Sequence, residues 1–361
     1  MPGAKQQGKL IVIGAGVAGL SAALAAARIG FDVVCLEARV VGAEAASSAG
    51  WMKIFRYAYD DARYSRLMIE TDARWRGLER SFGRPLIRSC PSLNFGSQES
   101  PKIQNALRSL QATQRKHVLL QPGDEQEAAM GGFLYEGEVG VVELGAGVMD
   151  PATVLMALRE AVEDSGVVLR ERTPVLRLSS GTTTGVRVDT ATERLHADRA
   201  IVAAGPWTPR LLPDSADRLT VTRQVQTLFT TSRPIGDGRL FSWAEVPEDT
   251  FYGVCNLSNG CHVIGTHAPA SPIAADAPRD PHAEEKAVRA QLDFLAQRLA
   301  PDIQITPVRH RVCHYTNTTD ESFLVERHQP GIVLLSACSG HGFKFGITTG
   351  HQAAQIAASL I

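Results

Sequence analysis

The chain has 361 residues, enough to bury a full core and to divide into two domains or one large interleaved unit. A formal net charge of −1 with 44% apolar residues describes an ordinary globular chain, and the lack of a basic excess argues against nucleic acid or an anionic membrane surface as partner. Six cysteines without Cys-x-x-Cys spacing speak against a structural zinc site and a secreted disulfide framework, so a reduced, cytoplasmic setting is expected.

Residues 1–8 read as a disordered leader. The apolar run from Ile11 to Ala27 follows Lys5 and Lys9 and could be mistaken for a signal peptide or a membrane span. Its glycines argue otherwise, because Gly14, Gly16 and Gly19 have the spacing of a strand-turn-helix. Leu10 to Ile13 is expected as a buried parallel strand, Val17 to Ile29 as an Ala-rich helix and Phe31 to Leu36 as the second strand. Tyr64, Leu67, Met68, Trp75, Leu78 and Phe82 recur at helical steps and predict an amphipathic helix over the cofactor domain. Asp150 and Pro151 form an N-cap and first-turn pair for a helix running to about Ser165, stopped by Gly166 before a strand from Val167 to Arg170.

Ile201 to Ala204 is another short apolar strand, ending in Gly205-Pro206-Trp207. After it the pattern changes. Thr220 to Thr230, Thr250 to Val254 and Cys261 to Gly265 are β-branched and aromatic segments of an antiparallel sheet, the expected substrate domain. Val288, Leu292, Leu295 and Leu299 lie on one face of a surface helix from Ala283 to Leu299. A strand from Ile332 to Ser336 and a helix from Gly346 to Leu360 return the chain to the first domain. The histidines show no metal-ligand spacing.

Gly14-Ala-Gly-Val-Ala-Gly19 is the first chemical motif. Its glycines permit a tight turn and close approach of the backbone to a pyrophosphate, while the helix N-terminus supplies N–H donors. Glu37 closes the second strand 18 residues after Gly19, where a carboxylate holds both ribose hydroxyls and repels the 2′-phosphate of NADP. NAD and FAD share this fingerprint, so other residues must decide between them.

The segments Ser47-Ser-Ala-Gly-Trp-Met-Lys-Ile-Phe-Arg-Tyr-Ala-Tyr59, Ala203-Ala-Gly-Pro-Trp207, Tyr252 to His267, Cys313-His-Tyr-Thr316 and Ser339-Gly-His-Gly-Phe-Lys344 decide it. With them the chain resembles the flavin amine oxidases of the D-amino acid oxidase and glycine oxidase superfamily, and more narrowly the monomeric sarcosine oxidase and N-methyltryptophan oxidase family. The resemblance implies an α/β fold in which a Rossmann-like FAD-binding domain (9–85, 145–215 and 315–361) is interleaved with an antiparallel-sheet α+β substrate domain (86–144 and 216–314). It implies FAD joined through the sulfur of Cys313 to the flavin 8α carbon. Arg56 falls at the family's carboxylate-binding arginine, Lys344 at a second cation and Lys53 at a basic residue near the flavin ring. Tyr252, His267, Tyr315 and Trp243 fall at pocket positions. Cofactor contacts are implied at Gly14, Gly16, Val17, Gly19, Glu37, Ala38, Arg39, Ser48, Lys53, Val175, Gly205, Trp207, Cys313, Gly340, His341, Gly342, Phe343 and Lys344.

The chain also departs from the family. Val263 stands where the family has a lysine above the flavin, whose charge assists electron transfer to dioxygen. Lys53 and His262 are candidate substitutes, although His262 should face away from a site that Val263 faces. Ala49 replaces a histidine, and Trp243 suggests a more aromatic pocket than sarcosine needs. The expected activity is oxidation of a secondary or cyclic amino acid to an imine, with dioxygen as acceptor and hydrogen peroxide as by-product. The alternatives are a primary amino acid or imino acid oxidase, a dehydrogenase with another acceptor, or a non-catalytic flavin-binding subunit. A monooxygenase would need NADPH, and Gly236-Asp237-Gly238 reads as a loop, not a second nucleotide site. A monomer or small homo-oligomer is expected, with pocket shape depending on loops such as 269–281.

Overall fold

Leu10, Val12 and their neighbours are buried on both sides, which requires a strand covered on each face. In the computed structural model, which describes residues 7–181, 185–246, 251–268 and 270–360, that strand is Lys9–Ile13. Most of the expected leader, residues 1–6, lies outside the described residues, as do Thr250 and Pro269. Lys9–Ile13 pairs in parallel with Asp32–Leu36 and with Arg199–Val202. Val168–Arg170 extends the sheet on one side, Ile332–Ser336 and the antiparallel Leu324–Gln329 on the other, giving six strands.

The helix Val17–Ile29 stops at Gly30, whose φ of 106° lets its amide turn back to the Ala26 and Ala27 carbonyls. Its alanines Ala22, Ala23 and Ala26 and those of the helix Gly346–Ala358 (Ala353, Ala354 and Ala357) are fully buried in one core, short side chains that let two helices approach closely. The strand expected at 201–204 is instead Arg199–Val202. Ala203 still donates to the Ile13 carbonyl (2.8 Å), but Gly205 at φ 53° turns the chain into a short 3₁₀ segment.

The second sheet has eight strands, in the order Ile305–Asn317, Thr220–Thr231, Cys261–Thr266, Phe251–Cys255, Phe241–Glu245, Ser92–Ser97, Glu138–Glu143 and His117–Leu120. Only Phe241–Glu245 and Ser92–Ser97 run parallel among these pairs. Its register decides what each face carries. Asn94 lies opposite Ala244, Ala244 opposite Tyr252, Tyr252 opposite Gly265 and Gly265 opposite Gln226, so these residues share one face. Phe95, Trp243, Ile264 and Phe229 take the other face and form an apolar core with Leu295 and Leu299. The helix over that face is Pro281–Arg298. It buries Glu284, Gln291, Leu295 and Arg298, whereas Val288 and Leu292, expected on the buried stripe, are only half-buried.

Asp61 caps the helix Ala62–Phe82 by accepting from the Arg63 amide, and Trp75 in that helix is fully buried. Its indole N–H donates to the Lys344 carbonyl at 2.6 Å. Trp75→Phe keeps most of the volume but leaves that carbonyl without its donor. It is expected to cost roughly 1–3 kcal/mol, seen as a lower urea midpoint at unchanged m-value.

Candidate functional site

Two cavities lie between the sheets. One, of about 460 Å³, runs along the turn after the first strand. The other, of about 390 Å³, lies against the second sheet, and Ser47, Cys338 and Phe343 line both, so the two are neighbours.

The first cavity has the chemistry of a dinucleotide cradle. Gly14, Gly16, Val17, Gly19, Glu37, Ala38, Arg39, Ser48, Val175, Gly205 and Trp207 all line it. The helix Val17–Ile29 points its N-terminus there with no acidic residue in its first turn, leaving the dipole open to an anion. Ser48 Oγ accepts from the Val17 amide at 3.0 Å, and a Cβ on Gly16 would come within 2.8 Å of that oxygen. Glu37 accepts from the Ala15 amide (2.8 Å) and the Arg39 amide (2.9 Å), which holds its carboxylate at the end of the second strand. These residues fit FAD: the helix end and glycine turn would take its pyrophosphate and Glu37 its ribose. The loop expected to shape the substrate pocket reaches this cavity instead. Asp276 lines it and accepts from the Trp207 indole at 2.8 Å, with Arg210 3.4 Å away.

The second cavity gathers Lys53, Arg56, Tyr252, His267, Cys313, Tyr315, Gly340, His341, Gly342, Phe343 and Lys344. Lys53, Arg56, Lys102 and Lys344 bring positive charge to it, and Asp60, Asp61, Asp320 and Glu321 bring carboxylates. Lys344 is only 5% exposed, and its ammonium donates to Tyr59 Oη (2.8 Å) and the His341 carbonyl (3.1 Å). Arg56 donates to the amide oxygen of Asn94 and lies with its guanidinium 5.5 Å from the Tyr59 ring centre. Among the described residues neither forms an ion pair. Burial, followed by the charges of Arg56 and Lys53, holds the Lys344 ammonium well below the ordinary lysine range, and Glu143 opposes that shift. Burial also lowers Lys53, which donates to the Ser47 carbonyl at 3.2 Å.

The hydrogen bonds around Lys344 have a defined direction. His341 Nε2 lies 3.2 Å from the Glu321 carbonyl, which can only accept, so Nδ1 is the acceptor for Tyr59 Oη at 3.2 Å. Burial and the Lys344 charge push the His341 ring down to about 3, which keeps it neutral. On the sheet side, Gln226 donates to Tyr252 Oη (3.0 Å), which lies 3.1 Å from Tyr315 Oη. Burial raises both phenols, Tyr252 to about 12, so they remain protonated at neutral pH. Cys313, 3% exposed, has its sulfur 3.8 Å from Gln226 Oε1. Gly340 is needed for this packing, since a Cβ there would come within 2.2 Å of the His267 ring and 2.6 Å of Tyr315.

Trp243 is not brought to this cavity. It is fully buried on the opposite sheet face, stacked 5.7 Å from Phe294, and Ala244 lines the cavity in its place. Val263 is on the site face, two residues from Gly265, between Leu228 and Val254. His262 points the other way, stacked 5.0 Å from Phe229 and 3.0 Å from Thr231 Oγ1. Burial pushes it down to about 4, so it carries no charge toward the site. Gln226, Tyr59, Asn94 and Cys338 line the cavity without having been singled out as site residues. Two signals existed: Tyr59 ends the segment that contains Arg56, and Gln224 and Gln226 are polar residues two apart in an otherwise β-branched strand.

Among the described residues no helix is long and apolar enough to cross a membrane. Peroxisomal sarcosine oxidase of Homo sapiens is 28% identical over 354 residues, covering 94% of this chain and 89% of that protein. N-methyl-L-tryptophan oxidase of Yersinia pestis (strain Pestoides F) is 26% identical over 353 residues, covering 96% and 94%. Among solved structures, the open form of NikD, an unusual amino acid oxidase essential for nikkomycin biosynthesis, aligns with a TM-score of 0.82 at 23% identity, covering 98% of this chain and 95% of that one. L-proline dehydrogenase from P. horikoshii aligns with a TM-score of 0.82 at 16% identity, covering 97% and 93%. These two structural likenesses concern the fold. The FAD dependent oxidoreductase family matches residues 9–356, and the chain belongs to it.

Proposed function

We propose that the protein oxidises the C–N bond of a secondary or cyclic amino acid to an imine, with the substrate carboxylate held by Arg56 and Lys344. The observation that carries this reading is that two of the cations on this cavity, Arg56 and the buried Lys344, have no carboxylate ion-pair partner among the described residues. A buried charge without a counter-ion is costly, and a ligand carboxylate would relieve it while accepting from a guanidinium through two oxygens. Sarcosine and N-methyl-L-tryptophan, named in the relatives, are both secondary amino acids.

FAD, when bound, supplies the hydride acceptor. The protein's part is to bind and orient. Anchoring the carboxylate at Arg56 and Lys344 fixes one end of the substrate, and Tyr252, Tyr315 and His267 surround the rest. Neutral His341 and protonated phenols add no charge beside the amine, which must give up its proton before the carbon can lose a hydride. Cys313 lines the second cavity with its sulfur 3.8 Å from Gln226 Oε1, and the resemblance of its flanking residues supports a thioether from that sulfur to the flavin 8α carbon. Dioxygen is the proposed acceptor, forming hydrogen peroxide. A second reading, a dehydrogenase with a different acceptor, is favoured by Val263, an apolar side chain at the position of the family lysine.

An anaerobic visible titration tests the activity. N-methyl or cyclic amino acids are expected to bleach the flavin, and primary analogues are not; if no amine bleaches it, the subunit reading replaces this one. Arg56→Met is expected to lower kcat/KM by roughly 100-fold. Readmitting air tests the acceptor, since slow recovery of colour favours the dehydrogenase. The thioether has its own measurement. Flavin should stay with the wild-type chain through denaturation and filtration and be lost from Cys313→Ser; flavin retained by Cys313→Ser refutes the attachment.

A further inference from the structure

Glu143 is the last residue of the strand Glu138–Glu143 and is fully buried. One carboxylate oxygen accepts from the main-chain amides of Tyr57 (2.8 Å) and Ala58 (3.1 Å). The other has no hydrogen-bond partner among the described residues. Such a group is expensive to bury, so its retention calls for an explanation.

Its position supplies one. The amides it holds lie between Arg56 and Tyr59, and Tyr59 receives the Lys344 ammonium. A single carboxylate therefore fixes the main chain that carries one cation and the hydroxyl that seats the other. It forms no ion pair with either. The two amides pin it behind the Arg56–Tyr59 segment, so it offsets positive charge without occupying the cations' hydrogen-bonding capacity. Its cross-strand neighbour Ser92 also has an unpartnered hydroxyl, and Asn94, two residues on, holds Arg56.

We propose that Glu143 is a positioning residue for the carboxylate site, a fixed counter-charge that keeps Arg56 and Lys344 charged and in place while leaving both free to bind an anion. This rests on the reading that those two cations bind the substrate carboxylate. The other charged groups around Glu143 are Arg56, Lys344 and Arg115, with His117 opposite it on the neighbouring strand and Asp72 bonded to the Tyr57 hydroxyl. Burial, opposed by the two amides and then by Arg115 and Arg56, raises Glu143 to about 7. It is therefore mostly neutral below that pH and charged above it.

Glu143→Gln keeps an acceptor for the two amides and removes only the charge. Acetate binding to the holoenzyme, measured by calorimetry, provides the test. Near pH 5.5 the variant should match the wild type, and near pH 8.5 it should bind acetate at least about fivefold more weakly, because Lys344 then loses its proton more readily. Equal binding at both pH values, tighter binding by the variant, or a deficit independent of pH each overturns the proposal. Equal binding would mean that only the amide hydrogen bonds, which the variant keeps, matter. If Glu143→Gln does not fold, Glu143→Asp replaces it. That variant keeps the charge and should keep the wild-type ratio of affinities between the two pH values; a ratio fivefold lower overturns the proposal. Arg56→Met and Lys344→Met separate this result from the reading beneath it. If neither weakens acetate binding to the otherwise wild-type protein, the carboxylate reading itself fails.

Discussion

An ammonium group enclosed beside a guanidinium, with no carboxylate partner among the described residues, is the constraint around which the site is built. Coulomb repulsion between two such charges grows as water is excluded, and desolvation adds to it. Folding can tolerate this only if other groups compensate. Lys344 has a phenol and a carbonyl, Arg56 has an amide oxygen and an aromatic face, and all of these are dipoles or π-systems that cannot neutralise a full charge. What the proposed counter-charge of Glu143 does not offset is what an anionic ligand would fill.

The second sheet makes this arrangement possible. Its register places Asn94, Ala244, Tyr252, Gly265 and Gln226 in one row across five strands, so the polar groups of the site rise from one rigid face. The opposite face is sealed by Trp243, Phe95, Phe229 and the helix Pro281–Arg298. The first sheet then brings Lys344 in from the other side, immediately before the helix Gly346–Ala358 that packs on Val17–Ile29. Through Trp75 the Lys344 backbone is tied to a third element. Site and core therefore share their anchors.

Much of this was legible in the sequence, for identifiable reasons. Helical periodicity marked Tyr64 to Phe82, and the Asp150-Pro151 pair marked the helix now seen at Pro151–Asp164, because these signals are local. The glycine fingerprint and Glu37 belong to one short unit whose geometry its own residues impose. Trp243 failed for a physical reason: Phe241–Glu245 is buried on both faces, so alternation cannot say which side meets the cavity, and the larger ring filled the core. Glu143, Gln226 and Asp276 were not singled out because their roles arise from pairing between strands or loops far apart in the chain. Nothing next to Glu143 in sequence indicates that it will cap the backbone behind Arg56.

The same long-range logic bears on Val263. With leucine and valine as its cross-strand neighbours, it leaves the sheet side of the site without a cation at that row. Two other cations, Lys53 and Arg311, come together beside Gly50, where a Cβ would lie 3.0 Å from the Arg311 guanidinium and 3.2 Å from the Lys53 side chain. Arg311 is 5% exposed and donates to the Glu44 carbonyl at 2.9 Å, and Lys53 donates to the Ser47 carbonyl. Carbonyl partners orient these groups without cancelling their charge. Val263 supplies no charge from its strand, whereas the charges of Lys53 and Arg311 are held in place by the Ser47 and Glu44 carbonyls.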